Sequence, residues 1–175
     1  LAAGQPDEAI KRLQSHRKEH GLESDELRSL VVETLLSARE VASAKGDTKL
    51  AAEFLGQSEV YANQIEGAWG VRCRVLLEQA REVGVYGPEL AESVRQAKWA
   101  WKNGQLDEAI TAYRQATAQA HRSGKTDFAV QFGLTMATLQ TEAGQCRGAI
   151  DTLNGFLKSY PDHNRATEAD LLRAY

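Results

Sequence analysis

A seven-residue pattern occurs three times without gaps, as Gly4-Gln5-Pro6-Asp7-Glu8-Ala9-Ile10, Gly104-Gln105-Leu106-Asp107-Glu108-Ala109-Ile110 and Gly144-Gln145-Cys146-Arg147-Gly148-Ala149-Ile150. A weaker fourth copy, Gly46-Asp47-Thr48-Lys49-Leu50-Ala51-Ala52, sets the turn glycines 42, 58 and 40 residues apart. Recurrence near 40 residues restricts the chain to an array of supersecondary units. Each unit cannot bury its apolar face alone, so neighbours must stack.

The chemistry of the pattern says what the unit is. Glycine tolerates the left-handed backbone that ends a helix, Asp or Thr shortly afterwards can cap the next one, and acidic side chains favour its first turn. Beyond the corner, Ala109, Ile110, Tyr113, Ala116 and Ala120 recur at helical spacing and form one stripe. No strand-like alternation of comparable length occurs, so the fold class is all-α, an antiparallel helix-pair array closing into an α-α superhelix. Nine helices are predicted, at about 6–20, 23–45, 47–64, 68–84, 88–103, 105–122, 126–143, 145–160 and 164–175. They group as one repeat domain over 1–175, with repeats at about 1–21, 23–65, 88–123 and 126–163 and a partial one at 164–175. The 58-residue interval leaves room for one extra helix near 68–84, framed by Gly67, Gly70, Gly84, Gly87 and Pro88. An unpaired or irregular helix is expected there, bending the stack or splitting it into two sub-bundles. The chain opens inside a motif at Leu1 and closes inside a helix at Tyr175, as a piece of a longer polypeptide would.

The pattern resembles the tetratricopeptide repeat, in which a small residue of the first helix precedes a turn glycine, followed by Ala, an aromatic, Ala and Pro. Between about Leu90 and Ser123, Ala97 fills the small position, Gly104 the turn, Ala109 the close-contact alanine, Tyr113 the aromatic and Ala116 the second small site. The stretch from about Val130 to His163 matches with Met136-Ala137, Gly144, Ala149, Leu153 and Pro161. It departs at Phe156, where the family prefers alanine, and at Gly133, where it prefers an aromatic. In the poorer copies, Ala9 and Leu13 fit the first and Ala51 and Leu55 the second, while His16 stands where a small residue is expected.

With 175 residues, 42% of them hydrophobic, the chain is long enough to bury a core. A formal net charge of -3 gives no global attraction to a polyanion, so neither nucleic acid nor an acidic membrane is the expected partner. Apolar runs are a few residues long, as at Leu30 to Val32, far short of the roughly 20 needed to cross a bilayer, and the chain is expected to be soluble. Cys73 and Cys146 lie outside any paired-cysteine or Cys/His spacing. They read as two free core thiols, which leans towards a reducing compartment and the cytoplasm.

No residue set carries catalytic chemistry. His16 and His20 stand four apart, a spacing that can hold a metal, but no third ligand is near and Arg17, Lys18 and Glu19 between them do not make the arrangement in which a glutamate acts as base. Gly67-Ala68-Trp69-Gly70 and Gly84-Val85-Tyr86-Gly87 lack the glycines and the following Lys-Ser/Thr of a phosphate loop. No nucleophile elbow is present, and neither cysteine sits in a catalytic signature. No cofactor, no metal site and no enzymatic activity are expected.

The informative face is on the helix at 88–103. Ala91, Val94, Lys98 and Trp101 are spaced by three, four and three and share one side, with Arg95 and Lys102 adjoining. The resemblance implies that this side lines a concave groove that takes peptide segments, continued in the next repeat by Gln131, Leu134, Thr138 and Thr141. A basic, aromatic wall beside an uncharged one suits an acidic or mixed peptide, with Trp101 as a rigid anchor and Arg95 and Lys98 as carboxylate partners. The alternative is that Trp99 and Trp101 pack as core against the extra helix. The carboxylate clamp of co-chaperone relatives needs Lys, Asn and Arg on successive first helices, which Val94, Leu134 and Thr138 do not supply.

The resulting expectation is a non-enzymatic scaffold for a protein or peptide partner, with homo-oligomers compatible. The alternative is a structural or oligomerising segment of a larger enzyme or regulator whose activity lies elsewhere. A metal or small-molecule site in a repeat groove ranks behind both.

Overall fold

The computed structural model describes residues 8, 11, 12, 15 and 24–174. Among them are eight α-helices and no strand: α1 Asp25–Ala44, α2 Thr48–Ala62, α3 Gly67–Tyr86, α4 Pro88–Lys102, α5 Leu106–Arg122, α6 Thr126–Glu142, α7 Cys146–Ser159 and α8 Ala166–Ala174. These are the second to ninth helices expected from the sequence. The first, over 6–20, lies outside the described residues apart from Glu8, Lys11, Arg12 and Ser15, which are helical. The rest of the Gly4 copy of the pattern, His16 and His20 also fall outside them. The chain divides into two compact units, Leu1–Gly84 and Val85–Tyr175, and the boundary falls inside α3, the helix extra to simple pairing.

Four corners share one construction. At Gly104, φ is 73°, the Gly104 N–H donates to the Trp101 carbonyl at 2.9 Å, and the Gln105 N–H reaches back to the Ala100 carbonyl at 2.9 Å. This closes α4 with a left-handed cap that satisfies its last carbonyls. Gly46, Gly124 and Gly144 repeat the geometry after α1, α5 and α6. The caps that follow are more varied than the sequence implies. Asp47 accepts from the Leu50 N–H at 3.0 Å and caps α2, but Asp107 lies inside the first turn of α5, where its carboxylate takes the Gln145 side-chain amide at 2.6 Å.

In the first unit, Val32 and Leu36 of α1 pack with Ala62, Ile65, and Cys73 and Leu77 of α3. Arg72 of α3 pairs with Glu33 of α1 at 2.9 Å, and Arg81 of α3 pairs with Glu59 of α2 at 2.9 Å. The segment expected to be unpaired or irregular is regular, and it is unpaired in the sense that its backbone lies close along no other helix of the described residues, its ties being side-chain ones. It is a continuous 20-residue helix with its own core stripe, because its glycines stand at the two ends while Cys73, Leu76, Leu77 and Ala80 keep helical spacing between them.

In the second unit, α4 and α5 form an antiparallel pair on which α6, α7 and α8 follow. The predicted α5 stripe of Ala109, Ile110, Tyr113, Ala116 and Ala120 is buried, and meets Leu90, Val94 and Ala97 of α4 and Phe132, Met136 and Leu139 of α6. Each fully buried aliphatic side chain contributes roughly 1.5 to 3 kcal/mol. The ring of Phe132 lies 5.8 Å from Tyr86, 6.1 Å from Tyr113 and 6.1 Å from Phe128. Polar ties reinforce the packing: Gln119 of α5 receives the Ser93 hydroxyl at 3.2 Å and donates to Glu89 at 3.1 Å. A second cluster, with Val130, Leu134 and Ala137 against Leu153, Phe156 and Ala169, joins α6, α7 and α8.

The cysteines differ from expectation in one respect. Cys73 is a buried core thiol, but Cys146 is exposed, because it is the first residue of α7 and sits at the solvated mouth of a corner.

Candidate partner-binding face

Helix α4 starts where Gly87, with φ 82°, hands over to Pro88, whose ring presets the helical φ of the first turn. Helix α6 starts after the Gly124 corner. Both contribute apolar side chains to the core around α5, and their other sides reach solvent.

The nine residues selected by spacing separate into three groups. Ala91, Val94 and Leu134 are buried, at 0%, 1% and 3% exposure, so their side chains belong to the core and not to a groove wall. The reason is geometric: a face three or four residues wide straddles the line at which a helix turns from its neighbours to solvent. Lys98, Trp101 and Lys102 of α4 and Gln131 and Thr138 of α6 are exposed, as is Thr141. Arg95 forms the third group. It is half-buried and paired with Glu92 one turn earlier, which draws it to the side of α4 that also carries Trp99.

Trp99 and Trp101 are 62% and 40% exposed, so neither is packed as core. On α6, the Thr138 and Thr141 hydroxyls donate to the Leu134 and Ala137 carbonyls at 3.1 Å each. With those donors committed to the helix, the α6 side offers a ligand fewer free donors than its composition implies.

Lys98 is also felt in the core. Burial pushes the Tyr113 phenol above its ordinary range, while the Lys98 ammonium draws it back and Tyr86 adds to the rise. A phenol whose folded-state pKa is the higher adds stability that is intact below the unfolded value of about 10 and is lost as pH climbs past it. Wild type therefore weakens relative to Tyr113→Phe between about pH 8 and about pH 11. Urea midpoints of the two proteins at both ends of that range check the sign.

The spacing used for α4 and α6 continues beyond Pro161 through Arg165, Glu168 and Leu172, which the sequence reading passed over. Arg165 grips Glu168 through two hydrogen bonds of 2.6 and 2.7 Å and holds its carboxyl below the usual range. The signal was available, since the same three-and-four spacing restarts once proline has closed the previous copy.

Among the described residues, no group of three or more His, Cys, Asp or Glu is placed to hold a metal ion. No helix among them is long and apolar enough to cross a membrane.

Residues 133–163, from the middle of α6 through α7 to the turn after Pro161, match the family model described as tetratricopeptide repeat. That segment is similar to a tetratricopeptide repeat. No curated protein and no solved structure matches the chain. In this segment the glycine corner is Gly144, and Ala149 of α7, at the position of the close-contact alanine, is buried at 4% exposure. Tetratricopeptide repeats serve as protein–protein interaction scaffolds and are typically non-enzymatic.

Proposed function

We propose that the second unit binds an acidic or mixed peptide segment of a protein partner along a concave groove formed by the exposed sides of α4 and α6. The observation that carries this reading is the composition of the two sides. Lys98, Trp101 and Lys102 are exposed on one, and Gln131, Thr138 and Thr141, the two threonine hydroxyls bonded to their own helix, on the other. An indole held by a helix loses little freedom on contact and anchors well, and ammonium groups beside it pair with carboxylates. Arg95 is left out of this reading because its pairing with Glu92 turns it to the side of α4 that carries Trp99. The buried Ala91, Val94 and Leu134 support the groove from beneath.

The test is capture from native lysate by wild type and by Lys98→Glu/Trp101→Ala/Lys102→Glu, after circular dichroism shows equal helicity. The variant loses the partner, at a cost of about 2 kcal/mol or more in binding free energy. Equal capture by both proteins rejects the groove and favours a structural segment instead.

A further inference from the structure

An adjoining side of the α4–α5 pair carries a second surface of different chemistry. A cleft of about 820 Å³ runs between the two helices, with Ala100 and Ala112 among its lining residues, Trp99 from α4, and Glu92, Asp107 and Glu108 around it. Small residues between the helices allow another backbone to approach closely. Trp99, at 62% exposure, is the most exposed of the large apolar side chains of the chain's described residues. Three carboxylates stand against one guanidinium, Arg95, which Glu92 already engages. Asp107 and Glu108 lie in the first turn of α5. The cleft therefore joins an indole wall to residual negative charge.

We propose that this cleft is a second docking site, for an arginine-bearing helical segment of a partner protein, independent of the groove on α4 and α6. The charge complementarity selects the occupant. An arginine stacks its guanidinium on the Trp99 indole while its N–H groups reach Glu108 or Asp107, and the apolar residues of the segment fill the strip between α4 and α5. An acidic segment is repelled here and attracted to Lys98 and Lys102 around the helix, so the two surfaces select against each other's ligands.

The probe is a short synthetic helical peptide of arginine, leucine and alanine, compared with the same peptide in which glutamate replaces each arginine. Binding is followed by calorimetry and by the indole N–H signals of the three tryptophans. The arginine peptide binds saturably and moves the Trp99 signal, and the glutamate peptide does not move it. Trp99→Ala and, separately, Asp107→Asn/Glu108→Gln each weaken binding by about tenfold. Lys98→Glu/Trp101→Ala/Lys102→Glu leaves it unchanged, which separates this site from the groove. The proposal is overturned if the arginine peptide does not saturate, if both peptides bind alike, if Trp101 or Trp69 responds in place of Trp99, or if both cleft variants bind as wild type does. Self-association that is abolished by Trp99→Ala without any peptide binding assigns the cleft to a second copy of the chain and also overturns it.

Discussion

Phe132→Ala lowers the unfolding free energy of the second unit by about 3 to 5 kcal/mol. Phe132 is 2% exposed and is the ring around which Tyr86, Phe128 and Tyr113 gather, so truncation removes its own transfer free energy and three ring contacts together. The void cannot close easily, because α5 and α6 are held at their ends by the Gly124 corner and approach through Ala116 and Ala129, which have no side-chain length to extend. Chemical denaturation followed by near-ultraviolet circular dichroism measures the loss. Trp99→Ala serves as comparison, since a solvated indole has little packing to lose and its removal changes stability by no more than about 0.5 kcal/mol. A cost below about 1 kcal/mol for Phe132→Ala would mean that the shared core of α4, α5 and α6 is wrongly drawn.

Gly70→Ala destabilises the first unit by about 2 kcal/mol or more. Alanine is ordinarily the better helix former by about 1 kcal/mol, so the expected sign is the reverse of what intrinsic propensity gives. The cause is the turn that leads into α3. A Cβ at Gly70 would overlap the Ile65 carbonyl oxygen and lie 2.9 Å from the carbonyl carbon, and backbone cannot rotate away as a side chain can. Ile65 is itself 2% exposed and fixed in the core with Val32, Leu36 and Cys73. Gly56→Ala on α2 is the internal control. Nothing stands within 4 Å of a Cβ there, so that change stabilises by up to about 1 kcal/mol. Opposite signs for two glycine-to-alanine changes in helices of one unit isolate the steric contact from propensity. Thermal denaturation of the three proteins compares them directly.

The architecture was legible because its punctuation is covalent chemistry. Gly104 and Gly144 announce left-handed corners, and Ala109 and Ala149 after them announce the stripes that α5 and α7 bury, which Ile110 joins while Ile150 stays exposed. The corner at Gly124 has the same geometry and the same phase, in Gly124-Lys125-Thr126-Asp127-Phe128-Ala129-Val130, yet Lys in place of Gln and Val in place of Ile hide it from a search by identity. Glycines around α3 misled in the other direction. Gly67 has φ 59° and belongs to the helix start, whereas Gly84 lies within the helix, and only backbone geometry separates a terminator from a tolerated interior glycine.

The candidate face was legible only in part. Helical spacing assigns residues to a side, but the angle at which that side meets the next helix is a tertiary quantity. This is why Ala91 and Val94 went into the core while Lys98, four residues beyond Val94, reached solvent. Arg95 illustrates a second limit, because its direction is settled by Glu92, an acidic residue three positions earlier whose pull competes with any partner. Cys146 shows a third. Cysteine is usually buried, but the first position of a helix at a corner is exposed whatever residue occupies it.

The most direct test of the central claim is site-specific photocrosslinking in native lysate, with the photoreactive side chain placed in turn at Lys102, Thr138 and Arg114. All three positions are exposed, the first two on the proposed groove sides of α4 and α6 and the third on α5. The groove account predicts one common partner band from Lys102 and Thr138 and none from Arg114. A band from Arg114 alone, or none from either groove position, contradicts it.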